Sequence, residues 1–459
     1  MQNYILTKRQ KGVRIQIVNA YKMTLCSDEL ISRRNMMELL NRKKTGKVER
    51  PVKVLQFGEG NFLRAFVDYM IDIANEQGKF NGDIVLVKPI EFGSLDRFHD
   101  QECQYTVQLR GIVDGEPKRI NRIVTSVADA VDAYGEYQKY ADYAKLDSLR
   151  YIVSNTTEAG IVYDDTDRLE MEPPKSYPGK LTKFLYERYK HFNGAMDKGL
   201  VMLPVELIDD NGIHLKECVE KLAVLWNLED GFKTWLDEAC VFTSTLVDRI
   251  VTGYPRDEAE ELCKEFGYQD NLIVTGEPFA LWVIESAKDI SKEFPLPDAG
   301  LPVIFTDNQK PYKQRKVRIL NGAHTSFVLA SYLCGNDIVL ESMQDELIFN
   351  FMKATIFDEV IPTLTLPKQD LIDFAEAVIT RFNNPYVKHA LLSISLNSVS
   401  KWRARCMPSF LEYIKNEGKL PTHLTFSLAA LMAFYTGTEI RDKALIGHRD
   451  GTEYQILDD

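Results

Sequence analysis

The tightest constraint on the fold is local. The run Val52–Phe57 (V-K-V-L-Q-F) has the length and apolar content of one buried β-strand, and it leads directly into Gly58-Glu59-Gly60. Apolar residues then recur with helical spacing as far as Ile73 and Ala74. Strand, glycine turn and helix in that order can open a nucleotide-binding unit, because glycines let the backbone approach a pyrophosphate and the helix N-terminus faces its charge. The third glycine of G-x-G-x-x-G is replaced by Leu63, so the same residues also fit a plain strand-to-helix turn. A second strand at 84–87 arrives where a βαβ unit needs one. Glu91 beyond it is placed to accept from ribose hydroxyls, or to stand as a solvated loop carboxylate.

Alternation over 104–110 and 120–127 predicts a hairpin closed through the turn region 111–117. Helical patterning at 134–144 leads to a buried strand at 151–154, which ends in Asn155-Thr156-Thr157-Glu158-Ala159-Gly160. Such a polar strand end borders the ligand crevice of a doubly wound sheet, or else caps the next helix. A helical pattern at 180–192 precedes the strand 200–207, which reaches the crevice edge at Glu206, and helices follow at 213–226 and 229–239. Within 241–250 an Asp248-Arg249 pair interrupts an apolar strand, which reads as a buried ion pair, structural or at a site. Strands at 271–275, 280–284 and 303–306 end in a polar turn at 307–312. Beyond Arg315 the periodicity is helical at 317–333, 347–359, 368–382, 387–413 and 424–434. The expected class is α/β plus α. It comprises an extension or linker over 1–50, a Rossmann-like dinucleotide-binding domain over 51–310 and a mostly helical substrate domain over 311–459. The stretch 436–459 is expected to be a polar loop or loose tail.

With 459 residues, 45% hydrophobic and 27% charged, the chain can build large cores. A net charge of −11 with no Lys/Arg-rich block argues against a nucleic-acid surface. The seven cysteines are scattered without C-x-x-C spacing, which disfavours a disulfide framework or a zinc site and fits a reducing cytoplasm. No window approaches about 18 apolar residues and no signal-peptide pattern opens the chain, so neither a membrane span nor export is expected.

A polar trio opens the helical half. In K-V-R-I-L-N-G-A-H-T, Lys316, Asn321 and His324 fall at about 0°, 140° and 80° on an α-helix of roughly 100° per residue, so all three can enter one cleft. A desolvated amine there can take an alcohol proton, an amide can hold the alkoxide, and an imidazole can orient a hydroxyl, with hydride exchanged by a nicotinamide. The same residues also fit a helix with a solvated lysine and a buried or capping histidine.

K-x4-N-x2-H at Lys316–His324 resembles the catalytic motif of the zinc-independent, long-chain mannitol dehydrogenase family. G-x-G-x-F-x-R-A at Gly58–Ala65 resembles its cofactor loop, which keeps no third glycine either. Val247-Asp248-Arg249-Ile250 and Arg381-Phe382-Asn383-Asn384-Pro385, followed by Lys401, are similar to further family blocks. Longer blocks, Q-F-G-E-G-N-F-L-R-A-F at 56–66 and S-T-L-V-D-R-I-V-T-G-Y-P-R-D-E at 244–258 among them, are most similar to the branch that reduces uronates. The resemblance implies NAD as cofactor, held by Leu55, Gln56, Phe57, Gly58, Glu59, Gly60, Asn61, Phe62, Leu63, Arg64, Ala65 and Phe66, with Glu91 and Asn155 beside them. It implies Lys316 as acid/base, Asn321 as alkoxide stabiliser and His324 as substrate-orienting group. Glu206, Asp248, Arg381, Lys401 and Arg405 would contact a small sugar-acid substrate, the last three through its carboxylate. No metal, nucleic-acid or membrane partner is implied. Where the polyol enzymes carry Asp-Asn this chain has Glu206-Leu207, so one alkoxide-stabilising amide is absent and Glu206 or Asn155 is expected to compensate. Other uronates or mannitol as substrate, and a nucleotide-binding relative without turnover, stay open as alternatives. The family's helical domain continues past the region of Tyr435, which leads to the expectation of a truncated domain with exposed apolar helix faces.

Overall fold

β1 (Val52–Phe57) is buried from Val54 onward and β2 (Asp83–Lys88) along its whole length, the pattern of parallel strands covered on both faces. The computed structural model describes residues 37–458 apart from Glu158 and Thr438, so residues 1–36 of the expected extension lie outside the described residues. Along the chain follow β3 (Tyr105–Val113), β4 (Glu116–Val124), β5 (Val127–Asp132), β6 (Tyr151–Ser154), β7 (Val201–Pro204) and β8 (Val241–Phe242). Six of these strands form a parallel sheet in the order β5-β2-β1-β6-β7-β8. The order reverses between β1 and β6, and a ligand crevice opens outside the C-terminal ends of strands at such a point.

β3 and β4 pair from Tyr105↔Val124 to Val113↔Glu116. The turn is tighter than the sequence suggests, because Asp114 and Gly115 take φ of 55° and 80° and so supply the left-handed pair a two-residue hairpin needs. Next come β9 (Ser244–Asp248), β10 (Val251–Gly253), β11 (Val274–Gly276), β12 (Leu281–Glu285) and β13 (Val303–Thr306). β10 and β11 extend the hairpin into a four-stranded sheet, β10-β11-β3-β4, while β13-β12-β9 form a third sheet.

That third sheet joins the two halves. Side chains alternate across a strand, so Trp282 and Ile284 of β12 enter the core beneath the parallel sheet, where Trp282 meets Phe66 at a ring-centroid distance of 5.6 Å. Leu281 and Val283, on the other face, enter a separate core with Ile319, Phe327 and Met352 of the helical half. The helix Gly322–Leu333 runs through the middle of that half, packed against Thr422–Phe434, Leu391–Ser395 and Ser398–Arg405. The helical stretch expected over 387–413 is broken: Asn397 takes a left-handed φ of 56° and separates Leu391–Ser395 from Ser398–Arg405, with Met407–Glu417 beyond.

Both ends differ from expectation where they are described. Residues 37–50 are packed and not a free linker: Leu40 is buried, Leu40 N donates to Gln269 O at 2.9 Å, and Lys47 meets Asp83 at 2.7 Å with both side chains shut off from solvent. The stretch expected to be a tail forms an antiparallel sheet, β14 (Glu439–Arg441), β15 (Ala444–Arg449) and β16 (Thr452–Ile456). Its polar residues face out, whereas Ala444, Ile446, Tyr454 and Ile456 are buried and Tyr454 stacks on Phe434 at 4.8 Å. Ile456→Ala should therefore cost about 2–5 kcal/mol, read from the shift of the urea unfolding midpoint; an unchanged midpoint would mean the sheet contributes nothing to the core.

Candidate active site

Gly58 and Asn155 meet where the strand order reverses. Gly58 has φ of 116°, and a Cβ there would lie 3.2 Å from Asn155 O and 3.3 Å from Leu63 Cδ1. Leu63 thus fills the place a third glycine would leave open, which accounts for the altered motif. Gly60 caps the helix that starts at Asn61 and has open space on its Cβ side, so backbone and helix N-terminus are accessible to an anionic ligand. These features fit the pyrophosphate of a dinucleotide.

Only part of the stretch 55–66 can touch such a ligand. Leu55, Gln56, Phe57, Leu63, Ala65 and Phe66 are buried among core residues, and Arg64 directs its guanidinium to the carbonyls of Glu59 and Leu272 and to Asn61 Oδ1. They shape the loop from behind together with the buried Gly58, leaving Gly60 and Asn61 exposed and Glu59 and Phe62 partly so. Burial raises the pKa of the Glu59 carboxyl. Glu91 is exposed at the rim, where its carbonyl accepts from Lys88 Nζ at 3.4 Å. A cavity of about 620 Å³ lies at the ends of β2 and β6, lined by Pro89, Ile90, Thr156, Tyr163 and Tyr177 among others.

A second cavity, of about 630 Å³, lies between the halves. Lys316 and Asn321 line it, but not with α-helical geometry. Residues 316–321 form a π turn, which places i and i+5 on one face. The wider turn brings Asn321 nearer to the Lys316 side than the about 140° of α spacing, and both residues line the cleft. His324, three residues further on, turns back by roughly 60° from Asn321 and lies against Phe382, ring centroids 4.1 Å apart. Arg318, which α spacing points to the far side of the helix, lines the cleft too, with Nη1 3.3 Å from Thr363 O. No motif signals it. Lys313 is paired with Asp209 across the cleft mouth, and Leu207 stands there 66% exposed.

Lys316 Nζ donates to Val247 O at 2.7 Å and lies 3.8 Å from Asp248 Oδ1. Burial lowers the pKa of its amine; Asp248 opposes this and Arg381 adds to it. Asp248 and Arg249 do not form the ion pair that their adjacency suggests. Neighbouring strand residues point to opposite faces: Asp248 meets Arg381, whereas Arg249 donates to the carbonyls of Ala65, Pro278 and Phe279. Arg381 is not placed to bind a substrate carboxylate. Its Nη1 and Nη2 donate to Asp248 at 3.1 and 3.0 Å, and its Nε and Nη2 donate to Glu277 at 2.9 and 2.8 Å. Glu277, unmarked in the sequence, also accepts from Ile250 N at 2.6 Å.

Glu206 is likewise committed. It is buried and accepts from Thr156 N at 3.0 Å, Thr156 Oγ1 at 2.9 Å and Ser154 Oγ at 3.1 Å, so its carboxylate holds the loop after β6 and does not replace a missing amide donor. Asn155 is half-buried at the strand end, its N–H bonded to Phe57 O at 3.1 Å. Lys401 and Arg405 stand on the helix Ser398–Arg405, whose Ala404 lines the cleft.

Residues 52–297 match the family described as mannitol dehydrogenase Rossmann domain, and residues 308–453 the one described as mannitol dehydrogenase C-terminal domain. Altronate oxidoreductases of Yersinia enterocolitica, Bacteroides thetaiotaomicron and Pectobacterium atrosepticum are 46%, 44% and 48% identical to this chain. Those alignments cover 92%, 92% and 87% of this chain and 86%, 88% and 82% of the relatives. Substrate-free D-sorbitol dehydrogenase superposes with a TM-score of 0.74 at 21% identity, over 87% of this chain and 86% of the other. The Pseudomonas fluorescens mannitol 2-dehydrogenase ternary complex with NAD and D-mannitol gives 0.65 at 22%, over 88% and 85%. These two structures share the fold.

Two consequences of the charge arrangement are measurable. Arg381→Met leaves Asp248 and Glu277 buried without their counter-ion and should cost about 3–5 kcal/mol in urea unfolding; a neutral effect would show that the pair bears no strain of burial. Asp248→Asn removes the charge that holds the Lys316 pKa up. The acidic limb of the kcat/KM profile for alcohol oxidation should then move to lower pH, and a shift to higher pH would overturn the assignment.

Proposed function

We propose, proceeding from the fact that the chain belongs to the mannitol dehydrogenase family, that it interconverts D-altronate and D-tagaturonate with NAD(H), a step of hexuronate catabolism. The observation that carries this reading is the Lys316 amine, made less basic by burial and set in a cleft between the Rossmann and helical halves. The chain around it is 44% to 48% identical to altronate oxidoreductases.

The Gly58–Phe62 loop would hold the pyrophosphate of NAD, and the cavity at the ends of β2 and β6 would take its adenosine. When bound, the nicotinamide supplies the hydride acceptor for oxidation and the donor for reduction. In the oxidative direction Lys316 Nζ takes the proton of the reacting hydroxyl, and in reduction it returns that proton to the oxygen. A buried amine is fitted to both because its two protonation states lie closer in energy than in water. The Asn321 amide, on the same cleft as Lys316, donates to the oxygen as negative charge develops. His324 orients the substrate from the neighbouring wall. Asp248 acts indirectly: it tunes Lys316 while held by Arg381.

Among the described residues no helix is long and apolar enough to cross a membrane. A cytoplasmic location belongs to the same proposal, on the cysteine pattern of the sequence.

A substrate panel followed through NADH absorbance tests the reading: tagaturonate should be reduced faster than fructuronate or fructose, and either of those as the preferred substrate would overturn it. Lys316→Ala should bind NADH normally yet lose about 10²–10⁴-fold in kcat, whereas retained turnover would remove Lys316 from the chemistry.

A further inference from the structure

Among the described residues, the buried carboxylates other than Asp68 are each compensated in one of two ways. Asp72, Asp83, Asp248 and Glu277 have a cationic partner. Asp167, Glu206, Asp270 and Glu359 each accept from three donors. Asp68 has neither. Its side chain is fully buried in the turn Arg64–Asp68 behind the glycine loop, and one hydroxyl, that of Tyr105 on β3, donates to Oδ2 at 2.6 Å. Oδ1 has no donor. Gln56 of β1, also fully buried, acts on the same carboxyl from close by. Its Nε2 donates to Gly58 O at 3.1 Å, and its Oε1 is likewise without a donor.

The charged groups around Asp68 are committed elsewhere. Arg64, four residues earlier, directs its guanidinium to Glu59 O, Leu272 O and Asn61 Oδ1. Arg122 on β4 is held by Asp72 and Glu76, and Arg249 donates to the carbonyls of Ala65, Pro278 and Phe279. Asp72, four residues later, adds repulsion. Burial outweighs the help given by Tyr105, Arg64 and Gln56 and raises the Asp68 pKa to about 7. Two neighbouring buried acceptors without a donor are costly, and one proton relieves both, because a carboxylic acid gains the O–H that a carboxylate lacks.

We propose that Asp68 stands in the folded protein as a neutral carboxylic acid whose proton bridges Oδ1 to Gln56 Oε1, and that this bridge positions the cofactor loop through the Gln56 bond to Gly58 O. Asp68 touches neither cofactor nor substrate and is a positioning residue. Gly58 enters the loop with φ of 116° against Asn155 O, so the tilt of its peptide sets how the following amides face a pyrophosphate. Loss of the proton sets a negative charge against Gln56 Oε1, and the amide turns its Nε2 toward that charge and away from Gly58 O. Asp68 of the unfolded chain ionises at about pH 4. The stabilisation from the neutral form is therefore complete below that pH and is lost as pH rises through about 7. The inference rests on the reading of Gly58–Phe62 as the NAD loop.

The test is NADH titration of the full-length protein by fluorescence at about pH 6 and about pH 8.5, on either side of the Asp68 transition. The wild-type Kd should rise about 3- to 10-fold between the two, the worth of one hydrogen bond. Asp68→Asn, whose amide donates to Gln56 Oε1 as the acid does, should bind like wild type at the lower pH and lose that rise. Gln56→Leu, without the bond to Gly58, should bind more weakly by a similar factor at both pH values. The infrared difference spectrum of the wild type between the two pH values should contain the carbonyl stretch of a protonated carboxyl that Asp68→Asn lacks. An Asn variant that keeps the rise, or that binds as weakly as Gln56→Leu, overturns the proposal, and so does absence of the band. A wild type that binds NADH at neither pH overturns the reading of the loop and the positioning role with it, whether or not the band is present.

Discussion

One guanidinium holds the two halves of this protein in register. Arg381, from the helical half, is clasped by Asp248 at the end of β9 and by Glu277 just after β11, all three buried. Ions taken out of water are tolerated only when each is matched with good geometry, so the two strand ends and the helix Lys368–Phe382 can come together in few other ways. Asp248 also faces Lys316, which makes the same contact that fixes the interface set the basicity of the amine in the cleft. The interface and the charge state of that amine are coupled through a single carboxylate.

The second determinant is the extra residue in the helical turn at Lys316–Asn321. A π turn gives up regular i→i−4 hydrogen bonding and is kept where it re-aims side chains. Here Lys316, Arg318 and Asn321 line one cleft, and His324 lies against Phe382. A similar turn at Arg64–Asp68 lies in the helix that follows the glycine loop, where Leu63 to Asp68 are all buried. A third π turn, Thr355–Val360, lies within the helical half.

Much of this was legible in the residues. The glycine loop, the polar ends of β6 and β7 and the shift to helical periodicity after Arg315 predict a parallel α/β half followed by helices, and the structure has that arrangement. Side-chain commitments were not legible. Asp248-Arg249 reads as a pair because the two are adjacent, yet strand alternation sends them to different partners, and Glu277, the acid that completes the clasp, carries no motif. Glu206 reads as a crevice carboxylate, but three donors from Ser154 and Thr156 claim it. The polar composition after Thr436 hides a sheet because only Ala444, Ile446, Tyr454 and Ile456, spaced along two strands, face inward.

The alternation along β12 bears on how such a protein can change. Because Trp282 and Ile284 belong to one core and Leu281 and Val283 to the other, neither half owns the strand. Exchange of the helical half as a cassette between relatives would leave one face of β12 against a foreign core. Substitutions at the cleft mouth, where Leu207 is exposed, disturb neither core. The shared strand makes the scaffold conservative and confines variation to the rim.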